Sequence, residues 1–283
     1  MNSKSLGKDS SSTQVSVLSP QPSVLTIAGS DSCGGAGIQA DLKTFSILNI
    51  VGTSAVTCVT AQNSDKIAGI EPVDPEMVSL QIKTVCESFS IAAAKTGMLY
   101  SASIIQAVSK TLAECGINTL VLDPVIISSS GTRLLQEDAI DILRSDFLSK
   151  ATVITPNIPE AEFFCGDKID SIEAMKSSAE KIGKEYGTAC IIKGGHLGAE
   201  VRNQESGVRR QETEVSGGEV TDVLWDGREV MEFSGPRVNM SVHGTGCVFS
   251  AALTVFLAQG AELGWAVKQA KNFVFQHYFV CSD

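Results

Sequence analysis

The sequence predicts an α/β fold with a central, mostly parallel sheet and helices on both faces. Three observations predict it. Short strand-like runs alternate with helix-like segments of ten to fifteen residues along most of the chain. The strand-like runs are apolar at consecutive positions, as strands covered on both faces are. Segments rich in Gly, Asp, Asn and Lys follow those runs, where open parallel sheets hold their ligands.

The elements follow in order. Residues 24–28 form a short apolar strand, and 29–35 a glycine-rich turn. A helix over 36–48 carries Ile38, Leu42, Phe45 and Leu48 at helical spacing. Residues 51–61 are rich in Val and Thr and read as the second strand. Further helices are expected over 75–88, 101–115, 136–143 and 171–186, with strands over 92–96, 119–122, 153–155 and 189–193. Trp225-Asp226-Gly227-Arg228 lies between two strand-like runs, 220–224 and 229–233, which signals a hairpin. Two helices close the chain, 244–259 and 265–279.

No repeat and no second domain boundary interrupt this pattern, so 23–283 reads as one domain. Residues 1–22, rich in Ser, Gln and Pro, read as a flexible tail without a signal or transit pattern. Residues 199–219 are polar and aperiodic and read as a surface insertion.

Composition excludes several function classes. The net charge is −10, and the only basic cluster is Arg209-Arg210, so no nucleic-acid footprint is visible. No apolar stretch reaches the roughly 18 residues of a membrane helix. Eight cysteines show no CxxC spacing and several lie in strand-like runs. They read as reduced core residues of a cytoplasmic protein, not as a zinc site.

The sharpest motif is His243-Gly244-Thr245-Gly246-Cys247 at the start of an apolar helix. Two glycines let backbone approach a ligand, and the helix start aims free N–H groups at it. An oxyanion or a transferring phosphoryl group fits there. A cysteine in that place has a lowered pKa and can accept a proton; equally, it can be a buried Cys after a turn. The segment 28–41, Ala-Gly-Ser-Asp-Ser-Cys-Gly-Gly-Ala-Gly-Ile-Gln-Ala-Asp, joins a strand to a helix. It matches neither the dinucleotide fingerprint nor a Walker A loop.

Asn157 and Glu160 have capping-box spacing; they either start a helix or face Mg²⁺ through water and a phosphate. Asp123, just after a strand, suits water-mediated Mg²⁺ binding or caps a turn. Lys193, before Gly194-Gly195-His196, puts a cation at another strand end. It either approaches a triphosphate or stays solvated.

These motifs, in this order, resemble the hydroxymethylpyrimidine kinase branch of the ribokinase-like superfamily, over about residues 23–275. Besides the segments above, Lys95-Thr96-Gly97-Met98-Leu99 carries the resemblance. It implies two ATP-dependent phosphorylations, of 4-amino-5-hydroxymethyl-2-methylpyrimidine and then of its monophosphate, in thiamine synthesis. By resemblance Gln62 bonds the pyrimidine edge, and Gly29, Ala36, Met98 and Val125 line the ring pocket. Asp123 and Glu160 serve Mg²⁺, while Lys193 and Asn157 serve ATP. Gly244, Thr245 and Gly246 form the anion hole, with Cys247 as the catalytic base. Sugar kinases of the superfamily carry Asp there, so Cys247 favours the pyrimidine or pyridoxal branch. The resemblance also implies a homodimer.

Two departures stand out. Ser128-Ser129-Ser130-Gly131 replaces a segment in which the family carries a lysine, and the chain ends soon after its last helix, where relatives usually continue. They leave an inactive regulatory paralogue open, and the similar Gly-Thr-Gly-Cys end of the pyridoxal/pyridoxine kinases leaves that activity open as well.

Overall fold

A computed structural model describes residues 22–63, 66–127, 132–196, 218–236 and 244–279. Its centre is a sheet built from β1 (Ser23–Asp31), β2 (Val51–Gln62), β3 (Ile67–Pro72), β4 (Ile91–Thr96), β5 (Leu120–Leu122), β6 (Val153–Ile154), β7 (Ala189–Ile192), β8 (Glu219–Trp225) and β9 (Val230–Pro236). The strand order is β3-β2-β1-β4-β5-β6-β7-β8-β9. The run from β2 to β7 is parallel, and β3, β8 and β9 are antiparallel additions at the two edges. Sequence order turns back between β1 and β4, so the topological switch point, where such sheets bind ligands, lies there.

Helices cover both faces. One face holds α2 (Pro75–Ser88), α3 (Ala102–Glu114), α4 (Glu137–Ile142), α5 (Ile158–Cys165) and α6 (Ile172–Tyr186). The other holds α1 (Gly37–Ile47), α7 (Thr245–Ala258) and α8 (Leu263–Phe279). Strand residues alternate between the two cores. Leu25, Ile27, Leu122 and Ile154 pack toward α2–α6, while Val121, Val153 and Ile191 pack toward α7 and α8 and Val24 toward α1 and α7. This two-sided burial explains the unbroken apolar runs in the sequence.

Local signals set the helix starts. Asp74 accepts from the Glu76 and Met77 amides ahead of Pro75. Ser101 and Ser171 cap α3 and α6 in the same way. Gly166 and Gly187 end α5 and α6 at φ values of 75° and 66°.

The structure departs from the sequence reading in four places. Strand β3 was not expected; it is short, half exposed, ends in proline, and exists only by pairing with the edge of β2. Strand β1 runs past residue 28, because Ser30 and Asp31 pair with Val59 and Thr60 after a register shift. Strand β8 begins at Glu219, inside the segment read as an insertion, since Glu219 pairs with Pro236. Helix α4 is followed by a π turn, Leu143–Phe147, and a 3-10 turn, Leu148–Lys150. The tail 1–21, the segments 128–131 and 197–217, and residues 280–283 lie outside the described residues. Among the described residues no helix is long and apolar enough to cross a membrane.

Candidate active site

The glycine-rich turn after β1 is organised by Asp31. Its carboxylate accepts from the amides of Cys33 (2.8 Å), Gly35 (3.1 Å) and Ala36 (2.8 Å). These N–H groups are therefore satisfied within the loop. Their work is to hold the backbone in place, not to cradle an anion.

That backbone meets the start of α7. Gly244 has φ 88°, and a Cβ there would run into the Gly35 carbonyl; Gly37 has φ 58°, and a Cβ there would run into the Gly29 carbonyl. The two motifs, more than 200 residues apart in the sequence, interlock backbone against backbone through positions that only glycine fills. Ala36 lies at this contact, its Cα 3.5 Å from the place a Gly244 Cβ would occupy.

Gly29 abuts a small apolar cluster containing Cys58, Met98 and Leu134, with Tyr100 and Val125 packed against it. A Cβ on Gly29 would come within 2.8 Å of Cys58 Sγ and 3.4 Å of Met98 Sδ. Thr57 donates to the Met98 carbonyl at 2.6 Å, which fixes that residue at the end of β4. Burial pushes the Cys58 thiol up to about 11, so it remains a neutral wall residue. Gln62 stands at the end of β2, its main chain clasped by the Ser32 hydroxyl at 2.8 and 2.9 Å. Its Oε1 lies 3.3 Å from Thr60 Oγ1. Of the five residues expected around a ring, Gly29, Met98 and Val125 meet at this one cluster, while Gln62 stands beside Ser32 at the end of β2 and Ala36 at the contact with Gly244.

Asp123 joins four elements. Its Oδ1 accepts from Lys193 Nζ at 2.9 Å and from Thr155 Oγ1 at 3.0 Å. Its Oδ2 lies 3.3 Å from Ser250 Oγ, but that hydroxyl is nearer the Gly246 carbonyl, at 3.0 Å, and has one proton to give. Lys193 is not a solvated lysine: its side chain is 17% exposed. Burial disfavours its charge, yet Asp123 and Glu160 hold the ammonium above its ordinary value. A Cβ on Gly246 would come within 3.3 Å of Lys193 Nζ, so the lysine lies directly against the α7 loop.

For Asn157 and Glu160 the structure shows the capping box. Asn157 Oδ1 accepts from the Glu160 amide at 2.9 Å, and Glu160 Oε2 from the Asn157 amide at 2.9 Å. The Asn157 side-chain oxygen is therefore committed to the helix start. Glu160 is nearly buried, and desolvation pushes its carboxyl up to about 7, opposed by Lys193 and reinforced by Asp123.

With Glu160 ionised, two carboxylates would stand beside one lysine, and a cation would balance the extra negative charge. Among the described residues no three His, Cys, Asp or Glu side chains form a ready-made metal cage. This donor set fits Mg²⁺, which takes one or two carboxylates and fills its other positions with water and phosphate oxygens.

Cys247 is half-buried in the first turn of α7. The sequence predicts a lowered thiol pKa; the structure reverses this. Burial pushes the thiol up, and Lys95 and the Gly37 amide counter only part of that. A helix start lowers a thiol pKa when solvent also reaches the sulfur, and here desolvation wins.

Sequence reasoning passed over Lys95 and Asp41 as individual residues. They form an ion pair with both side chains 0% exposed, Nζ lying 2.8 Å from each carboxylate oxygen. The signal was a lysine inside the strand Ile-Ala-Ala-Ala-Lys-Thr, since a buried-strand charge needs a partner. His243 lies outside the described residues.

Comparisons with known proteins identify the family and the fold. The family model described as phosphomethylpyrimidine kinase matches residues 31–278. A hydroxymethylpyrimidine/phosphomethylpyrimidine kinase of Haemophilus influenzae is 45% identical over 252 residues, covering 89% of this chain and 88% of its own. The crystal structure of a phosphomethylpyrimidine kinase from Clostridium difficile 630 superposes with a TM-score of 0.75 at 36% identity, covering 91% of this chain and 99% of that one. An ADP complex of Bacillus subtilis pyridoxal kinase superposes at 0.76 with 34% identity, covering 89% and 90%. With the family model spanning most of the chain and its two interlocked glycine loops, this chain belongs to the phosphomethylpyrimidine kinase family.

Proposed function

We propose that the chain phosphorylates the hydroxymethyl group of 4-amino-5-hydroxymethyl-2-methylpyrimidine and then the resulting monophosphate, using ATP. The observation that carries this reading is the packing of Gly244–Gly246 onto the loop Asp31–Gly37, beside Met98 and Gln62 and against Lys193. The helix start and an apolar wall thus stand near the switch point, with the Lys193 cation against the helix-start loop.

In this reading the pyrimidine lies against Gly29, Ala36, Met98 and Val125. The Gln62 amide offers both a donor and an acceptor to the aminopyrimidine edge. The hydroxymethyl oxygen faces Cys247, which takes its proton as the oxygen attacks the γ-phosphorus. Gly244, Thr245 and Gly246 direct amides to the transferring group, and Lys193 approaches the ATP phosphates. Phosphoryl transfer asks mainly for position and charge stabilisation, and the proton can leave late. The form of Cys247 that takes this proton is the thiolate; burial works against that ionisation, and Lys95 counters part of the effect.

Asp123 and Glu160 would hold Mg²⁺, which neutralises phosphate charge when bound. Asn157 supports Glu160 as its cap, and any contact it makes to ATP would come through its amide nitrogen. A homodimer is the assembly we expect in solution.

A product-resolved assay with purified protein, ATP and Mg²⁺ tests the reading. Pyrimidine monophosphate followed by diphosphate is the expected result. Turnover of pyridoxal alone would transfer the chain to the activity of its Bacillus subtilis neighbour. Binding of the pyrimidine without turnover of either substrate, by folded protein, would replace catalysis with a regulatory role.

A further inference from the structure

The most deeply buried charges outside the residues assigned so far are Lys95 on β4 and Asp41 on α1, both 0% exposed. Lys95 Nζ lies 2.8 Å from each Asp41 oxygen, and Thr26 Oγ1 donates to Asp41 Oδ2 at 2.6 Å. Two of the three ammonium protons are thus committed, and the carboxylate is held from two sides. Such a pair is not explained by stability. Desolvating two charges offsets most of their attraction, and well-packed apolar residues of the same volume often serve a fold better.

Its location offers a reason. The backbone of Gly97 passes over the ammonium: a Cβ on Gly97 would come within 3.3 Å of Nζ. Asp41 lies on the helix that begins at Gly37, and the backbone just before it, at Gly35 and Ala36, meets Gly244 at the start of α7. The ion pair therefore underlies the contact between the α1 and α7 starts, on the side of the sheet to which both helices belong.

We infer that Lys95 is a positioning residue for phosphoryl transfer: its ammonium, fixed by Asp41 and Thr26, keeps a buried positive charge beneath Cys247 and the Gly97 backbone. This rests on Cys247 being the base. The step it serves is balanced within the known reactants. The hydroxymethyl proton passes to the Cys247 thiolate, the oxygen bonds the γ-phosphorus, and the bond to the ADP oxygen breaks. Negative charge moves from sulfur to the leaving ADP, and a fixed cation near the starting point favours the ionised sulfur that begins it.

The charges that face Cys247 agree. Burial raises its thiol most; Lys95 is the leading influence in the other direction, Asp41 and Asp123 oppose it, and the Gly37 amide assists. Lys193, on the far side of the same loop, senses Cys247 as well.

The test replaces both charges at once, since one alone would strand its partner. Lys95→Met/Asp41→Asn and, as a more polar pair, Lys95→Gln/Asp41→Asn are made in the full chain. Folding is read by circular dichroism. Alkylation of Cys247 by iodoacetamide is followed against pH by mass spectrometry of its peptide, alongside kcat and KM. We expect a folded variant in which Cys247 alkylation at pH 8 slows about tenfold, an upward move of about one pH unit. The first phosphorylation should lose kcat by about tenfold or more, with KM for the pyrimidine within about twofold.

A folded variant with an unchanged alkylation profile overturns the proposal. So does failure of both neutral pairs to fold, which would make the pair structural. Cys247→Ser separates the underlying reading: if it keeps full kcat while the neutral pairs still slow alkylation, the base assignment fails and the charge placement stands.

Discussion

Lys193 Nζ and Asp123 Oδ1 lie 2.9 Å apart, joining the ends of β7 and β5 across β6. Seventy residues separate them in the sequence, and the parallel register alone brings them together. Neither group is spare: the lysine touches the α7 loop through Gly246, and the carboxylate is held by Thr155. Removing one partner leaves the other buried and unpaired. Lys193→Met should therefore lower stability by about 3 kcal/mol and abolish detectable turnover. Urea unfolding and the ATP assay check both. A fully stable and active variant would show the pair to be dispensable.

Cys247→Ser separates the two phosphorylations. In the first an alcohol must lose its proton, and general-base help is worth roughly 10²–10⁴-fold. In the second the attacking phosphate oxygen is already ionised. The first step should fall by at least about 10²-fold and the second by much less. Single-turnover rates with each substrate decide it, and equal losses would count against Cys247 as the base.

The capping-box acid gives the fold a pH signature in the absence of metal and nucleotide. Glu160 titrates near 7 when folded, against an ordinary value of 4.5, so the native state binds more protons between these pH values. Stability from this group is full below about pH 4.5 and declines as pH rises through about 7, by on the order of 3 kcal/mol in all. Glu160→Gln should flatten that decline. Chemical denaturation at pH 5 and pH 8, in EDTA, measures the difference for both proteins.

Glycine positions allow an internally controlled test of the loop contact. Gly34 and Gly244 both have positive φ, 76° and 88°, but only Gly244 faces a backbone carbonyl where its Cβ would stand. Gly34→Ala should cost about 1 kcal/mol of backbone strain and leave kcat unchanged. Gly244→Ala must displace the Gly35 carbonyl, so it should lower kcat by about 10²-fold, the effect of misplacing a catalytic group by about an ångström. Thermal melts and steady-state kinetics on the pair would reveal whether contact or strain matters.

Thr96 Oγ1 is the buried side-chain oxygen, among the described residues, with no hydrogen-bond partner. Replacing it by a methyl of the same shape removes an unsatisfied group. Thr96→Val should raise stability by about 1 kcal/mol, read as a higher urea midpoint. A loss of similar size would show that the hydroxyl is satisfied in solution.

Much of the site was legible because its residues announce themselves locally. Asn157 and Glu160 have the spacing of a capping box, and Gly244 to Cys247 sit where an apolar helix begins. Strand β3 was not legible, since its half-exposed residues carry no period and it depends on β2 for every strand hydrogen bond. The Lys95–Asp41 pair was legible only as a charge in the wrong place. Its partner lies 54 positions away, on a helix that gives no sign of which strand it will cover. The lowered pKa expected for Cys247 failed for a related reason: helix starts are local, but burial is not.

The sequence by itself determined the layer architecture, the helix starts and where the strands end in polar, glycine-rich segments, because periodicity, capping and glycine conformation act over a few residues. Only the tertiary structure decided which strand ends meet, that Asp31 consumes the amides of its own loop, and that Asp41 pairs with Lys95 in the core. Those relations depend on strand order and on desolvation, which sum over the whole fold and are written in no single segment.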